Sequence, residues 1–237
     1  MWRSKSPLPM SSAEIRAMLP KAGGAELLDD GVYSLIIKNR WYAAKPKLRW
    51  LRKKVRPYLT EKRARHVAGC EEQAVKLARR WGADVYEAAE AGILHDITKK
   101  LSDEEQLIMC DKYGIILDAA ERRNPRILHA RTGAALAREL FGIPDGIYSA
   151  IRWHTTGKPD MSLMEKIIYL ADFTEPTRDF EGVEPLRKLC FEDIDRAMEL
   201  GLRMSLEEIR SRGEDAYKDT VDAYQWYKKE QGGSATC

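Results

Sequence analysis

Cysteine is sparse and scattered in this 237-residue chain: Cys70, Cys110, Cys190 and Cys237 form no CxxC pair. That argues against a disulfide framework or a cysteine zinc site, and suits a reducing cytoplasm as the expected location. Long apolar runs are missing too. No stretch approaches the roughly 18 residues that a membrane span needs, and the opening MWRSKSPLPM has no signal-peptide core. Nor is there an excess of one charge. The 40 Lys and Arg residues face 37 Asp and Glu, a net charge of +3, which argues against a protein that coats nucleic acid and leaves a small anionic substrate compatible. Histidine is rare, with only four, and their placement carries much of the reading below.

What is present is helical periodicity. Val67, Cys70, Ala74, Leu77 and Trp81 recur at three- and four-residue steps before Gly82, predicting a helix that begins near Thr60 and carries His66 in its first turns. Asp84 with Glu87 opens the next helix, which leads to His95 and Asp96 at its C-terminal end. Ser102 with Glu105, and Ser162 with Glu165, have the spacing of capping boxes. Asn124-Pro125 introduces a helix bearing His129 that ends near Phe141-Gly142, and Pro144-Asp145 starts another with His154 at its far end. The helix opened by Ser162 bears Asp172 and is closed by Pro176. Two or three more helices fit between Pro185 and Lys229. With no convincing strand, the expected fold is all-α, a single helical globule.

The first fifty residues differ. Pro7, Pro9, Pro20, Gly23 and Gly24 interrupt them, leaving short helices expected at 12–18 and 31–39. The organisation expected is an N-terminal extension over 1–50, short and partly irregular, a catalytic domain over 51–229 and a disordered tail over 230–237. A basic run between Lys45 and Arg65 includes Lys47, Arg49, Arg52, Lys53, Lys54, Arg56, Lys62, Arg63 and Arg65.

Each of the four histidines falls on a different expected helix. One histidine on an apolar face is more often a hydrogen-bonded core residue than a ligand. Four imidazoles together with the carboxylates of Asp96 and Asp172 have the count for a two-metal site, because imidazole suits iron, zinc and manganese and a carboxylate can bridge two ions.

The order His66, His95-Asp96, His129, His154, Asp172 resembles the HD superfamily of phosphohydrolases. Within it, the stretches EKRARH, AGILHDITKKL, LHARTGAALA, IRWHTTGKPDMSLMEKIIYLADFTEPTRDF and AYKDTVDAYQWY are similar to the bacterial YqeK-type symmetrical bis(5'-nucleosyl)-tetraphosphatases, over residues 52–229. The resemblance implies that His66, His95, Asp96 and Asp172 hold one divalent ion and Asp96, His129 and His154 a second, with Asp96 bridging. It implies iron as the favoured metal, manganese or another divalent ion being acceptable. It also implies hydrolysis of diadenosine tetraphosphate to two ADP by a metal-activated hydroxide. Asp96 and Lys99 are the catalytic candidates. Thr155, Thr156, Gly157, Lys166 and Arg178 are candidates to bind the phosphates, through side chains or through backbone N–H groups of a turn at Gly157. For Lys99 and Lys166 the plain alternative is a solvated helix lysine.

At the N-terminus, PMSSAEIR followed by VYSLIIKNRWY resembles the C-terminal tail of bacterial nicotinate-nucleotide adenylyltransferase, without that enzyme's nucleotide-binding core; Ser11, Ser12 and Arg16 would then be the remnant of a phosphate-binding turn, or simply cap and decorate a helix. Two alternatives remain open on the residues alone. One is an HD hydrolase of another nucleotide: an alarmone, a deoxynucleoside triphosphate or a cyclic nucleotide. The other is an RNA- or ribosome-associated protein using the basic run, with Trp50 and Tyr58 for stacking. A homodimer is compatible with the sequence; a membrane partner is not expected.

Overall fold

A computed structural model describes residues 10–233 of the chain. Among them there is no strand, and thirteen α-helices follow one another. No helix in that range is long and apolar enough to cross a membrane.

The N-terminal part holds α1 (Ser12–Met18), α2 (Asp30–Lys38) and α3 (Leu48–Val55). Ser11 and Glu14 form a reciprocal capping box at the start of α1, and the Arg16 guanidinium lies 5.3 Å from the centre of the Tyr42 ring. The Ser-Ser-x-x-Ile-Arg turn therefore serves local structure. Next come α4 (Glu61–Trp81), which starts where Thr60 accepts the Arg63 N–H and stops at Gly82, and α5 (Val85–Leu94), capped by Asp84. Helix α6 (Asp103–Lys112) opens with the Ser102–Glu105 capping box. A five-residue helix follows, α7 (Ala119–Arg123), too short to show a period in sequence. The chain continues through α8 (Leu128–Phe141), α9 (Asp145–Trp153), α10 (Leu163–Thr174), α11 (Val183–Glu192), α12 (Ile194–Ser211) and α13 (Lys218–Gly233). Of the tail expected to be disordered, residues 230–233 continue α13 and residues 234–237 lie outside the described residues.

In packing, residues 10–50 are part of the main body and not a separate extension. Leu19, Tyr33, Ile37 and Leu51 share one buried cluster with Leu77, Leu94 and Ile151. Helix α2 rests on α8, and α3 on α5. Just past the end of α2, Arg40 Nε donates to the carbonyls of Phe141 and Gly142, 3.0 Å to each, and its guanidinium pairs with the buried carboxylate of Glu90. Gly142 makes this approach possible, because a Cβ there would lie 2.1 Å from the Lys38 carbonyl oxygen.

Behind this, α4 packs between α5 and α10, and α9 packs on α5, α8 and α10. These five helices are the ones expected to carry the histidines and the two aspartates. Their apolar faces, with Ala74, Leu77, Leu94, Ala134, Ile151 and Leu170 fully buried, fix the axes against one another. Burying such side chains contributes about 1.5–3 kcal/mol each for the larger ones.

Candidate metal centre

Each candidate ligand leaves its helix at a point the local sequence sets. His66 projects from the second turn of α4, whose N-terminus Thr60 fixes. His95 is the C-cap of α5 and His154 that of α9, so both imidazoles, with Asp96 beside the first, sit where the chain leaves a helix. His129 lies in the first turn of α8 and Asp172 in the last turn of α10. The five helices bring these six side chains together, with all four imidazoles and Asp96 buried.

The second ring nitrogens decide the chemistry. Nδ1 of His95, His129 and His154 lies 2.8, 2.8 and 2.6 Å from the carbonyl oxygens of Gly92, Arg126 and Ile151. A carbonyl only accepts, so each Nδ1 carries the proton and each Nε2 turns a bare lone pair inward. His66 Nδ1 instead meets a carboxylate, Glu175 Oε1 at 3.1 Å. The inward nitrogens then face each other in pairs, His66 and His95 at 3.3 Å, His129 and His154 at 3.2 Å. Two bare lone pairs repel at that distance unless a cation lies between them. Ligand atoms about 2.1 Å from one ion, at right to tetrahedral angles, stand about 3.0–3.4 Å apart, so the donor set fits a divalent ion at each pair.

Asp96 divides its two oxygens between the pairs. Oδ2 lies 3.6 Å from His66 Nε2 and 3.4 Å from His95 Nε2, while Oδ1 lies 3.4 Å from His129 Nε2 and 3.8 Å from His154 Nε2. The ligand atoms of His66, His95 and Asp96 fall within 4.8 Å of one another, and so do those of Asp96, His129 and His154. Asp172 Oδ1 joins the first group at 2.9 Å from His66 Nε2 and 3.8 Å from His95 Nε2.

Electrostatics agree with this division. Burial alone would raise the Asp96 carboxyl, but His95, His129 and His154 hold it well below the usual range. For Asp172 burial is likewise outweighed, by the His66 imidazole 2.9 Å away, by His95 and by Arg178. Burial pushes His129 down, Lys99 adding to it, and takes His154 to about 4 with help from His95, so both rings are neutral at pH 7. Burial opposes charge on His95, yet Cys70 and Asp96 outweigh it and raise its pKa well above the ordinary histidine value. Without a metal, the place between the His66 and His95 nitrogens is taken by a proton on His95 Nε2, and a bound cation would displace it and restore the inward lone pair.

Among the expected phosphate contacts, three reach the centre. Lys99 Nζ stands 3.2 Å from His129 Nδ1, Thr155 Oγ1 lies 3.3 Å from His129 Nε2, and the Arg178 guanidinium donates to Asp172 Oδ1 at 2.9 Å. All three line a cavity of about 610 Å³ that also exposes His154 and Asp172. Three others do not line that cavity. Lys166 pairs with Asp195 at 2.5 Å and lies over the Tyr227 ring. Thr156 is buried and donates to the Gly157 carbonyl at 3.0 Å. The Gly157 N–H is spent on the Trp153 carbonyl at 2.9 Å, and its Cα side faces Leu202, Ala223 and Met161, so the turn closes α9 instead of cradling an anion.

Two residues with a part in the centre were not singled out in sequence. Arg63 donates to Asp96 Oδ2 at 2.8 Å; it stood only within the basic run, although its place one turn before His66 puts both on one face of α4. Glu175 backs His66, and its nearness in sequence to Asp172 was the available sign. It fits only because position 69 is glycine, where a Cβ would lie 2.3 Å from Glu175 Oε2.

Residues 63–177 match the family model described as HD domain. The chain is 38% identical over 176 residues to the protein named symmetrical bis(5'-nucleosyl)-tetraphosphatase in Bacillus subtilis (strain 168), covering 73% of this chain and 92% of that one. A protein of Mycoplasma pneumoniae named probable nicotinate-nucleotide adenylyltransferase/Ap4A hydrolase is 29% identical over 152 residues, covering 61% of this chain and 43% of that one. Among solved structures, one from Clostridium acetobutylicum, titled a predicted HD superfamily hydrolase involved in NAD metabolism, superposes with a TM-score of 0.74 at 35% identity, covering 76% of this chain and 96% of that chain.

Proposed function

The chain belongs to the family of HD-domain symmetrical bis(5'-nucleosyl)-tetraphosphatases, and from that membership we propose that its histidine and aspartate cluster hydrolyses diadenosine tetraphosphate to two ADP. The observation that carries the proposal is Asp96, one oxygen turned to each pair of inward-facing imidazoles. His66, His95, Asp96 and Asp172 would hold one divalent ion, and Asp96, His129 and His154 the other. Iron is proposed first, since imidazole and carboxylate donors together suit it. Two such ions, when bound, would lower the pKa of a water and offset charge on the phosphate under attack.

The chain's own groups do the rest. Arg63 and Arg178 steady the carboxylates of Asp96 and Asp172, and their remaining N–H groups would be available to the anionic chain. Lys99 supplies a cation beside His129, where negative charge gathers as the anhydride bond breaks. Thr155 offers a hydroxyl at the same edge. Glu175 keeps the His66 proton on Nδ1. Little covalent chemistry is asked of the protein; holding the phosphates in line is its work.

The test is purification without added metal, elemental analysis, and product identification over dinucleotide polyphosphates and alarmones, for the wild type, His95→Ala and Asp96→Ala. Two ADP per diadenosine tetraphosphate, with metal and activity lost together in both variants, is the expected result. ATP plus AMP as products, or metal and activity kept in either variant, overturns the proposal.

A further inference from the structure

A second cavity opens on the same centre, and its chemistry differs from the first. The larger cavity, about 610 Å³, pairs its polar floor with an apolar wall that includes Tyr169, Phe173, Met204 and Ile209. The smaller, about 470 Å³, is lined by Lys62, Arg63, Arg65 and Arg178, against the carboxylates of Glu175 and Asp179. His66 lines the smaller cavity, while His154 and Asp172 line the larger. The ligand cluster therefore stands between them, and Arg178 and Phe180 form a wall common to both.

Within the smaller cavity most charges already have work. Arg63 is held by Asp96, Arg178 by Asp172, and Glu175 is taken by His66 and Thr177. Lys62 and Arg65 are exposed, and among the described residues neither enters an ion pair. Elsewhere in the same basic run Lys47 pairs with Glu26, Arg52 with Glu71, Lys54 with Asp30 and Arg56 with Glu61, while Arg49 and Lys53 are also without an ion pair among the described residues but line neither cavity. Two unpaired cations three residues apart on α4, at the mouth of a basic cavity beside His66, suit an anion of more than one charge.

A tetraphosphate cut at its middle must extend two phosphates and a nucleoside to each side of the attacked bond. The ligand cluster lies between the two cavities, so the two halves can occupy one cavity each. We propose that the smaller cavity is a second nucleoside diphosphate subsite, in which Lys62 and Arg65 pair with the two phosphates of the half that the larger cavity does not hold. Its volume lies within the range of about 300–1,000 Å³ usual for small-molecule sites. The proposal rests on the functional reading above, and it gives each half of a symmetric substrate a cavity of its own.

The experiment compares the manganese-loaded wild type with Lys62→Ala/Arg65→Ala and with Arg49→Ala/Lys53→Ala, which removes the same charge from α3 at positions lining neither cavity. Exposed ion pairs contribute roughly threefold each in binding, so kcat/KM for diadenosine tetraphosphate should fall about tenfold in the first variant, mainly through KM, and stay near the wild-type value in the second. Titration calorimetry with ADP should count two ADP per wild-type chain, and the second ADP should bind about tenfold more weakly to the Lys62→Ala/Arg65→Ala chain. If the wild type splits the substrate but the two variants match each other, or if the wild type takes a single ADP, the second subsite is refuted. A wild type that releases no ADP from diadenosine tetraphosphate overturns the functional reading itself, whatever the variants do.

Discussion

Glu175→Gln is the substitution that examines the centre most closely. Glu175 is fully buried, and its two oxygens receive three donors: Oε1 takes His66 Nδ1 at 3.1 Å and the Thr177 hydroxyl at 2.5 Å, and Oε2 takes the Thr177 N–H at 2.7 Å. Burial alone would raise this carboxyl, but the Thr177 bonds and His66 hold it below its ordinary value, so it is ionised at pH 7. Glutamine has one acceptor and one donor end. If its oxygen faces His66, its NH2 meets the Thr177 N–H donor to donor, and a buried group without a partner costs about 1–3 kcal/mol. If its NH2 faces His66, the imidazole must accept at Nδ1 and carry its proton on Nε2, where a metal would be bound. Both outcomes weaken the ligand. Loss of such a supporting partner typically reduces metal affinity about 10- to 100-fold, or roughly 1.4–2.7 kcal/mol. Chelator competition with manganese or cobalt measures it directly. Gly69→Ala, which pushes a methyl group into Glu175 Oε2, should give a loss of the same kind by a different route. Metal dissociation constants equal to that of the wild type in both variants would refute the assignment of Glu175 as the group that orients His66.

Other perturbations follow from the same geometry. Between pH 6.5 and about 4 the unfolded chain protonates a histidine that folded His154 keeps neutral, so the metal-free protein should lose stability as pH falls. From pH 7 to pH 5 His154 alone accounts for a loss on the order of 2 kcal/mol, with His129 acting in the same direction and His95, whose pKa is raised, offsetting part of it. Urea midpoints of chelator-treated protein at the two pH values check this, and a midpoint equal or higher at pH 5 contradicts it. Arg40→Ala leaves Glu90 buried without its partner and should cost about 2–3 kcal/mol by urea denaturation; a cost near zero would mean that α2 is held without the clamp. Lys166→Ala should leave kcat/KM within about twofold of the wild type, because its partner is Asp195, in a partly exposed ion pair outside the cavity. A larger loss would return Lys166 to the site.

Much of the fold was legible in the chain because it depends on short-range physics. Thr60, Asp84, Ser102 and Ser162 cap helices where expected, since a cap needs only a side-chain oxygen within three residues of free N–H groups. The six candidate ligands were legible as a set because so few histidines occur and each falls on its own helix. Packing decided the rest. Whether residues 10–50 joined the core depended on Gly142 admitting the end of α2. Gly157 lost its anion-binding part because its N–H closes α9, and Lys166 lost its part because the face of α10 that bears it turns toward Asp195. Glu175 meets His66 across 109 residues of chain, and Arg63 meets Asp96 across 33. By itself the sequence determined where the capped, periodic helices lie and which side chains are candidates to bind metal. Only the tertiary structure decided which oxygen of Asp96 faces which imidazoles and that two cavities flank them, because those relations depend on how distant helices are rotated and spaced, and that is set by their buried faces.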